Sequence, residues 1–261
     1  GAGVALATVP VQAQATRPAD ERIAPTASET VVLNPFVVNT TKDTGYSASS
    51  TLAGTRLNTP IADLGASISI LTRDFLDDIG ATSVNDALIY AVGMEAGGPG
   101  GNFSGATGGD ITNAAVQSDD ARNEPQGVTR VRGLGSANLT RGFFATDIAS
   151  DAYTLDRITI NRGANAMLVG AGNPGGVIES GVLRANPMVD RNKVQFRYGD
   201  NDSTRANVDF NRVLVRGVAA FRIAALEEDE RYQQRPAFER KRRVSGSLAL
   251  NPFRATNLHG N

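Results

Sequence analysis

The chain has 261 residues, 41% hydrophobic and 20% charged, with a net charge of −1, which suffices for a substantial core and gives no support to nucleic-acid binding. It has no cysteine, so disulfides, thiol chemistry and a Cys-built metal site are excluded, and a Ser-His-Asp triad would have to rest on His259, the one histidine. The 28 glycines and the absence of tryptophan point to a loop-rich, strand-rich chain, and no run approaches the ~18 apolar residues of a spanning helix, which leaves β-barrel strands open.

In chain order, residues 1–15 (GAGVALATVPVQAQA) read as the remnant of a signal peptide ending in an A-x-A site, Ala13-Gln14-Ala15. Residues 16–34 are a polar, flexible segment in which Glu29, Thr30, Val31, Val32 and Leu33 stand out as β-prone, in the manner of an edge strand. Ser67 to Leu71 reads as a strand. Thr72 caps a short helix, Arg73 to Ile79, closed by Gly80, and Ser83 starts a second helix through Ala91, closed at Gly93.

Residues 95–124 are poor in aliphatics and rich in Gly, Asn and Asp, too long for an ordinary connection. Asn102, Phe103, Asp119, Asp120 and Arg122 offer polar and stacking groups there, without the spacing of an EF-hand. In TRVRGLGSANLTRGFF, Val131 alternates with Arg130 and Arg132 ahead of Gly133, as in a half-buried strand. Arg141, Arg157 and Arg162 complete a basic set, whose bland reading is five solvated side chains.

Leu155 to Glu179 is the most tightly written stretch. Ile158 and Ile160 alternate with Arg157, Thr159 and Asn161, a short strand with one buried face, broken by Gly163. Gly170, Gly172, Gly175 and Gly176 then force tight turns before Val177 and Ile178 resume an extended course. Gly170, Gly172 and Gly175 fit G-x-G-x-x-G with Asp190 downstream, but no helix of useful length follows to meet a pyrophosphate, so a turn between two strands is the better reading.

After Pro187 the texture changes. Val194, Phe196 and Tyr198 alternate with Lys193, Gln195 and Arg197; Ala206, Val208 and Phe210 alternate with Arg205, Asn207, Asp209 and Asn211. Phe221 and Ile223 flank Arg222, a charged segment runs from Glu227 to Arg243, and Val244 to Leu250 is a fourth strand candidate. One apolar and one charged face is what lipid outside and water inside require. Four strands cannot close a barrel, and with no initiator Met and a stop just after a strand-like run we expect a piece of a longer chain.

Asp156-Arg157, Arg162-Gly163, Gly170, Gly172, Gly175-Gly176 and Val177-Ile178 resemble the most recognisable segment of the plug domain of TonB-dependent outer-membrane receptors, and Thr129 to Phe144 resembles its preceding Arg-Gly strand. Val169 stands where the family usually has an aromatic residue, and Glu179-Ser180-Gly181 departs from its exit sequence. The resemblance implies an α+β plug domain over residues 35–190, a small mixed sheet with short helices and long loops. Residues 191–261 would then be the first antiparallel strands of an incomplete transmembrane β-barrel. It also implies an importer of a scarce large solute (iron chelate, cobalamin or oligosaccharide) rather than an enzyme, with no cofactor.

Further roles follow from the same likeness. Glu29 to Leu33 would be the TonB box, gripped by a TonB-type energy-coupling protein in the periplasm through strand addition. Arg130, Arg132, Arg141, Arg157 and Arg162 would pair with carboxylates on the inner barrel wall, and the residues named in 95–124 would face an extracellular ligand. The implied site is the bacterial outer membrane, with lipid around the wall. A secreted or surface β-rich binding module, and more remotely a dinucleotide-binding enzyme, are the alternatives from other classes.

Overall fold

A computed structural model describes residues 43–53, 57–97, 101–102, 129–163, 174–253 and 256–260. Strands β1 (Ser50–Thr51) and β2 (Thr59–Pro60) form a small antiparallel pair. Strand β3 (Ser67–Thr72) runs into helix α1 (Arg73–Asp78), and helix α2 (Val84–Leu88) follows. Thr72 caps α1 by accepting from the Phe75 amide, and Ser83 and Asp86 form a reciprocal capping box on α2. Helix α2 stops three residues short of Ala91, because the chain turns through Ile89 to Val92 toward Gly93, whose φ of +71° suits glycine.

Strands β4 (Met94–Ala96) and β5 (Thr129–Val131) pair antiparallel. Strands β6 (Asn138–Arg141), β7 (Phe144–Ala145), β8 (Leu155–Arg162) and β9 (Val177–Val182) join β3 in a mixed sheet of order β3-β8-β9-β6-β7, in which only β6 and β9 run parallel. Leu76, Val84, Leu88, Met94, Val131, Leu155, Ile158, Ile160 and Ile178 form one buried cluster, so the helices and the β4–β5 pair close over the sheet.

Strand β8 differs from the expectation of one buried face. Arg157, Thr159 and Asn161 are as buried as Ile158 and Ile160, because β8 is an interior strand and its polar face is covered too. The Arg157 guanidinium donates there to Ser50 O at 2.8 Å and pairs with Asp43 at 2.6 Å. Among the described residues, Gly175 and Gly176 lead straight into β9 at Val177 with no helix between, where a dinucleotide phosphate would need a helix N-terminus.

From Arg191 onward the chain is an antiparallel meander, β10 (Arg191–Tyr198), β11 (Thr204–Val215), β12 (Ala219–Arg231), β13 (Phe238–Phe253) and β14 (Thr256–Gly260), paired in that order. The charged stretch from Glu227 to Arg243 is not separate from the strands. It forms the far halves of β12 and β13 and their turn, with Glu227 opposite Arg242, Glu228 opposite Lys241 and Asp229 opposite Arg240. Opposite charges facing each other across a ladder support the pairing that their hydrophilicity seemed to argue against.

Burial in this sheet is inverted relative to a soluble protein. On β11, Arg205, Asn207, Asp209 and Asn211 are buried while Ala206 and Phe210 are exposed. On β10, Val194, Phe196 and Tyr198 are each about two-thirds exposed (68, 71 and 65%). The polar face is the one that meets the described residues of the preceding domain, among them Asp77, Asp151 and Ala185.

Candidate functional site

The site that the sequence and fold build together is a polar seam, where α1, the loop before β8 and the exit from β9 meet the inner face of β10–β13. At its lower end the connection out of β9 is fastened to the long strands. Asn211 accepts from the Asn186 amide at 2.8 Å and donates to Asn186 O and Val189 O at 2.9 and 2.6 Å. The Ala185 amide donates to Ser247 Oγ at 3.1 Å, and Ala185 packs with Ala220 and Ala249 where only small side chains fit. Arg222 forks onto Asp209 and donates to Arg184 O at 3.2 Å.

Higher up, Arg205 stands between two carboxylates, Asp151 of the loop before β8 and Glu228 of β12, the latter at 2.9 Å; all three side chains are 6–8% exposed. Arg243 donates to Ala149 O at 3.2 Å. Toward α1, Lys193 pairs with Asp77 at 2.6 Å and Arg197 donates to Gly80 O at 2.9 Å. Although burial opposes it, Arg73 and Lys193 together hold the Asp77 carboxyl below the usual carboxylate range. The apolar share of the seam is small: Tyr153 with Ala224 and Leu226, and the alanine trio. A cleft of about 400 Å³ opens between α1 and β10–β11, lined by Asp77, Gly80, Lys-free β10 positions Gln195 and Arg197, and Arg205.

The five arginines singled out from the sequence are placed differently from one another. Arg130 pairs with Glu95 across β4–β5 at 2.5 Å, and Arg157 with Asp43, so each meets a carboxylate within the same compact part. Arg141 lines a hollow with Asp151, Tyr153 and Arg243. Arg132 and Arg162 donate to Ser67 Oγ and Ser69 Oγ at 3.0 and 2.8 Å, side by side at the start of β3. Burial, then the neighbouring Arg132, pushes the Arg162 guanidinium below its ordinary value, and its Nε and Nη2 are buried without a partner among the described residues. In the described seam the cations come from the wall strands, as Lys193, Arg197, Arg205 and Arg243, and the acids and carbonyls they meet come from the domain. Asp43, 114 residues from Arg157, and Glu95, 35 from Arg130, carry no local signal of being their partners.

Gly133 and Gly163 have φ of +70° and +97°, and Gly175 and Gly176 lie where the start of β9 crosses other backbone. Asn102 accepts from the Ala96 amide at 2.9 Å and donates to Met94 O at 3.3 Å, so its amide is engaged along β4. Glu29 to Leu33, Phe103, Asp119, Asp120, Arg122, Gly170 and Gly172 lie outside the described residues.

The departure at Glu179 has a structural role that sequence reasoning missed. This carboxylate is buried beside the two-residue turn joining β6 and β7, where Gly142 and Phe143 both have positive φ, and it accepts from Thr140 Oγ1 and from the Phe143 amide at 2.9 Å. Burial raises its pKa above the ordinary carboxylate value, against the hydrogen bonds from Thr140, Phe143 and Gly142. A raised folded-state pKa adds stability that is present below the unfolded pKa and lost as pH rises through the folded one. Glu179→Gln is accordingly expected to flatten the fall in the domain's unfolding midpoint between pH 4 and pH 8, read by denaturant titration at each pH; an unchanged slope would contradict this.

Residues 60–177 match the family model of the TonB-dependent receptor plug domain. That segment is a TonB-dependent receptor plug domain. The chain is 26% identical over 213 residues to the ferrichrome outer membrane transporter/phage receptor of Escherichia coli K12, covering 81% of this chain and 27% of that protein. It is 31% identical over 190 residues to the ferric-pyoverdine 358 receptor of Pseudomonas putida, covering 72% of this chain and 21% of that one. The pyoverdine outer membrane receptor FpvA from Pseudomonas aeruginosa PAO1, solved bound to pyoverdine, shares the fold, with a TM-score of 0.69 at 18% identity over 88% of this chain and 32% of that one. The chain thus spans about a quarter of the length of the curated relatives it matches. Its architecture is a plug followed by the first antiparallel strands of the wall, and its place is the bacterial outer membrane, with the plug inside the barrel lumen.

Proposed function

We propose that the chain supplies the plug, residues 35–190, and the first wall strands, residues 191–261, of an importer for a ferric siderophore or similar iron chelate. The observation that carries this reading is the inverted long sheet, whose charged inner face grips the plug through Arg205, Lys193 and Arg243 while its apolar face is left bare. The ferrichrome, ferrioxamine and pyoverdine receptors among its relatives support an iron chelate over the other solutes. No enzymatic step belongs to this reading.

In this account the chelate binds from outside, on plug loops that include residues 102–122 and on wall loops. A TonB-type protein then adds a strand to Glu29–Leu33 and pulls. The seam suits a plug that must shift: it is mostly hydrogen bonds and ion pairs, which can be exchanged for water, with two small apolar contacts. Arg132 and Arg162, mutually repelling and without an acid among the described residues, are assigned to carboxylates of later wall strands. The test is a strain relying on this receptor for growth on a panel of iron chelates, carrying Val31→Pro, which removes an amide and fixes φ in the pulled segment. Chelate binding to cells is expected to persist while uptake falls at least about tenfold, the loss that about 1.4 kcal/mol of lost strand pairing would give. Uptake at the parental rate would contradict the assigned segment, and absence of growth on every iron chelate would contradict the substrate class.

A further inference from the structure

We propose that the hollow between the loop before β8 and strand β13 is a binding site for a small oxyanion, a carboxylate or a phosphate, which bridges Arg141 of the plug to Arg243 of the wall. The proposal rests on the placement of plug against wall and not on the identity of the imported solute.

The hollow has a volume of about 380 Å³, with Arg141, Ser150 and Tyr153 on its plug side and Arg243 and Ser245 on its wall side. That is the room of roughly a dozen waters, so an anion of several heavy atoms fits with water beside it. Arg141 stands at the end of β6, while Arg243 and Ser245 are successive inward positions of β13, opposite Leu226 and Ala224 of β12. The two cations thus reach the hollow from opposite sides of the seam.

Neither guanidinium has an acid of its own. Arg141 makes no hydrogen bond or ion pair among the described residues, and Arg243 donates to one carbonyl, Ala149 O, at 3.2 Å. Asp151, the acid in the lining, is taken: Arg205 holds both of its oxygens, at 2.5 and 3.4 Å, and the Tyr153 amide donates to one of them at 3.2 Å. Asp147 of the same loop has a partner of its own and does not line the hollow. On the neighbouring wall, Glu228 is held by Arg205 and Lys241, and Glu227 by Arg242.

Further donors converge there. Tyr153 is 7% exposed, yet its hydroxyl has no hydrogen-bond partner among the described residues, and the same holds for the Ser150 and Ser245 hydroxyls. Burial, then Asp151, raises the pKa of that phenol, and Arg243 and Arg141 oppose the rise, so both guanidinium groups lie within electrostatic reach of its oxygen. A planar fork pairs the oxygens of a carboxylate or phosphate two at a time, and chloride offers no such pair. An oxyanion seated there also relieves the repulsion between two like charges in a partly dry gap.

Because half of the site is plug and half is wall, the anion acts as a removable clip. It binds the seated plug and not the displaced one, so it strengthens seating by mass action and is released when the plug moves.

The experiment uses the full-length receptor in detergent micelles at constant ionic strength, with iron-free citrate and inorganic phosphate as probes and chloride as the reference. Titration calorimetry is expected to show one saturable site, which Arg141→Gln and Arg243→Gln each weaken at least about tenfold. The double variant is expected to bind little more weakly than either, since a bridge is lost with its first arm. Arg141 has no protein partner to lose, so Arg141→Gln is expected to keep the parental unfolding midpoint in chloride and to abolish the rise that the probe produces in the parent. Arg216→Gln, exposed in the turn between β11 and β12, is expected to bind as the parent does. Absence of binding to both probes, as when a later wall strand fills the hollow with a carboxylate, would overturn the proposal, and so would equal binding by Arg141→Gln and the parent. A saturating iron chelate separates the two sources of the acid: displacement of the bound probe places the chelate's own acid group in the hollow, and binding of both leaves a free anion there. Anion binding is read without any chelate, so its failure is distinct from failure of the import reading.

Discussion

Arg205→Ala is expected to lower the stability of the plug against the wall by about 3 kcal/mol, because it strands Asp151 as a buried carboxylate without a cation, while Glu228 keeps Lys241 at 3.1 Å. The readout is the urea midpoint for plug unfolding in detergent micelles, followed by protection of plug amides from exchange. Arg205→Lys keeps a charge but gives up the two-armed contact, so an intermediate loss is expected. Arg242→Ala breaks a pair whose arginine is 79% exposed, and the expected change is at most about 1 kcal/mol. Equal effects from Arg205 and Arg242 would mean that the seam is solvated and holds nothing.

Gly176→Ala is the second large effect. The residue sits at φ +99° at the entrance to β9, and a Cβ built there would lie 2.1 Å from Asn161 O and 3.0 Å from the Arg162 Cα. Both obstacles are backbone of β8, which is itself locked between β3 and β9, so neither can swing aside. Strain at positive φ and displacement of the β8–β9 pairing together are expected to cost about 3 kcal/mol or more. Gly65→Ala, with nothing within 4 Å of the added carbon, is the matched control and should stay within about 0.5 kcal/mol. If the two substitutions behave alike under denaturant titration, the close approach at Gly176 is not what fixes that glycine.

These two residues also mark what the sequence could and could not disclose. The cluster containing Gly175 and Gly176 was legible as an obligatory turn because glycine has a local conformational meaning, and the structure places both against backbone. The caps at Thr72 and Ser83 were legible for the same reason, since a cap is settled within three residues. The alternation on β10 and β11 disclosed two faces, and only the surroundings decide which is buried; the structure buries Asp209 and exposes Phe210. Ion-pair partners were not legible at all. Arg157 finds Asp43 and Arg205 finds Asp151 across 114 and 54 residues, distances at which a carboxylate leaves no pattern beside its arginine. The cations that the described seam does use, Lys193, Arg205 and Arg243, lie on strands whose alternation showed a charged face but not its partners. Glu179 was visible as an oddity in an aliphatic strand, but its task of holding the Gly142–Phe143 turn depends on β6 lying parallel to β9, a long-range pairing.

The central physical claim is that β10–β14 turn their apolar side chains to lipid and their charged ones to the plug. This stretch has no cysteine, so once any cysteine elsewhere in the full-length receptor is replaced by serine, single cysteines can be placed here and spin-labelled without background. Labels at Val194, Ala206, Val208, Phe210 and Ile223 in reconstituted bilayers are predicted to be quenched by dissolved oxygen and shielded from a water-soluble nickel chelate, whereas Asn207 and Asn211 should show neither access. Labels at Val194, Val208 and Ile223 quenched chiefly by the nickel chelate would contradict the account.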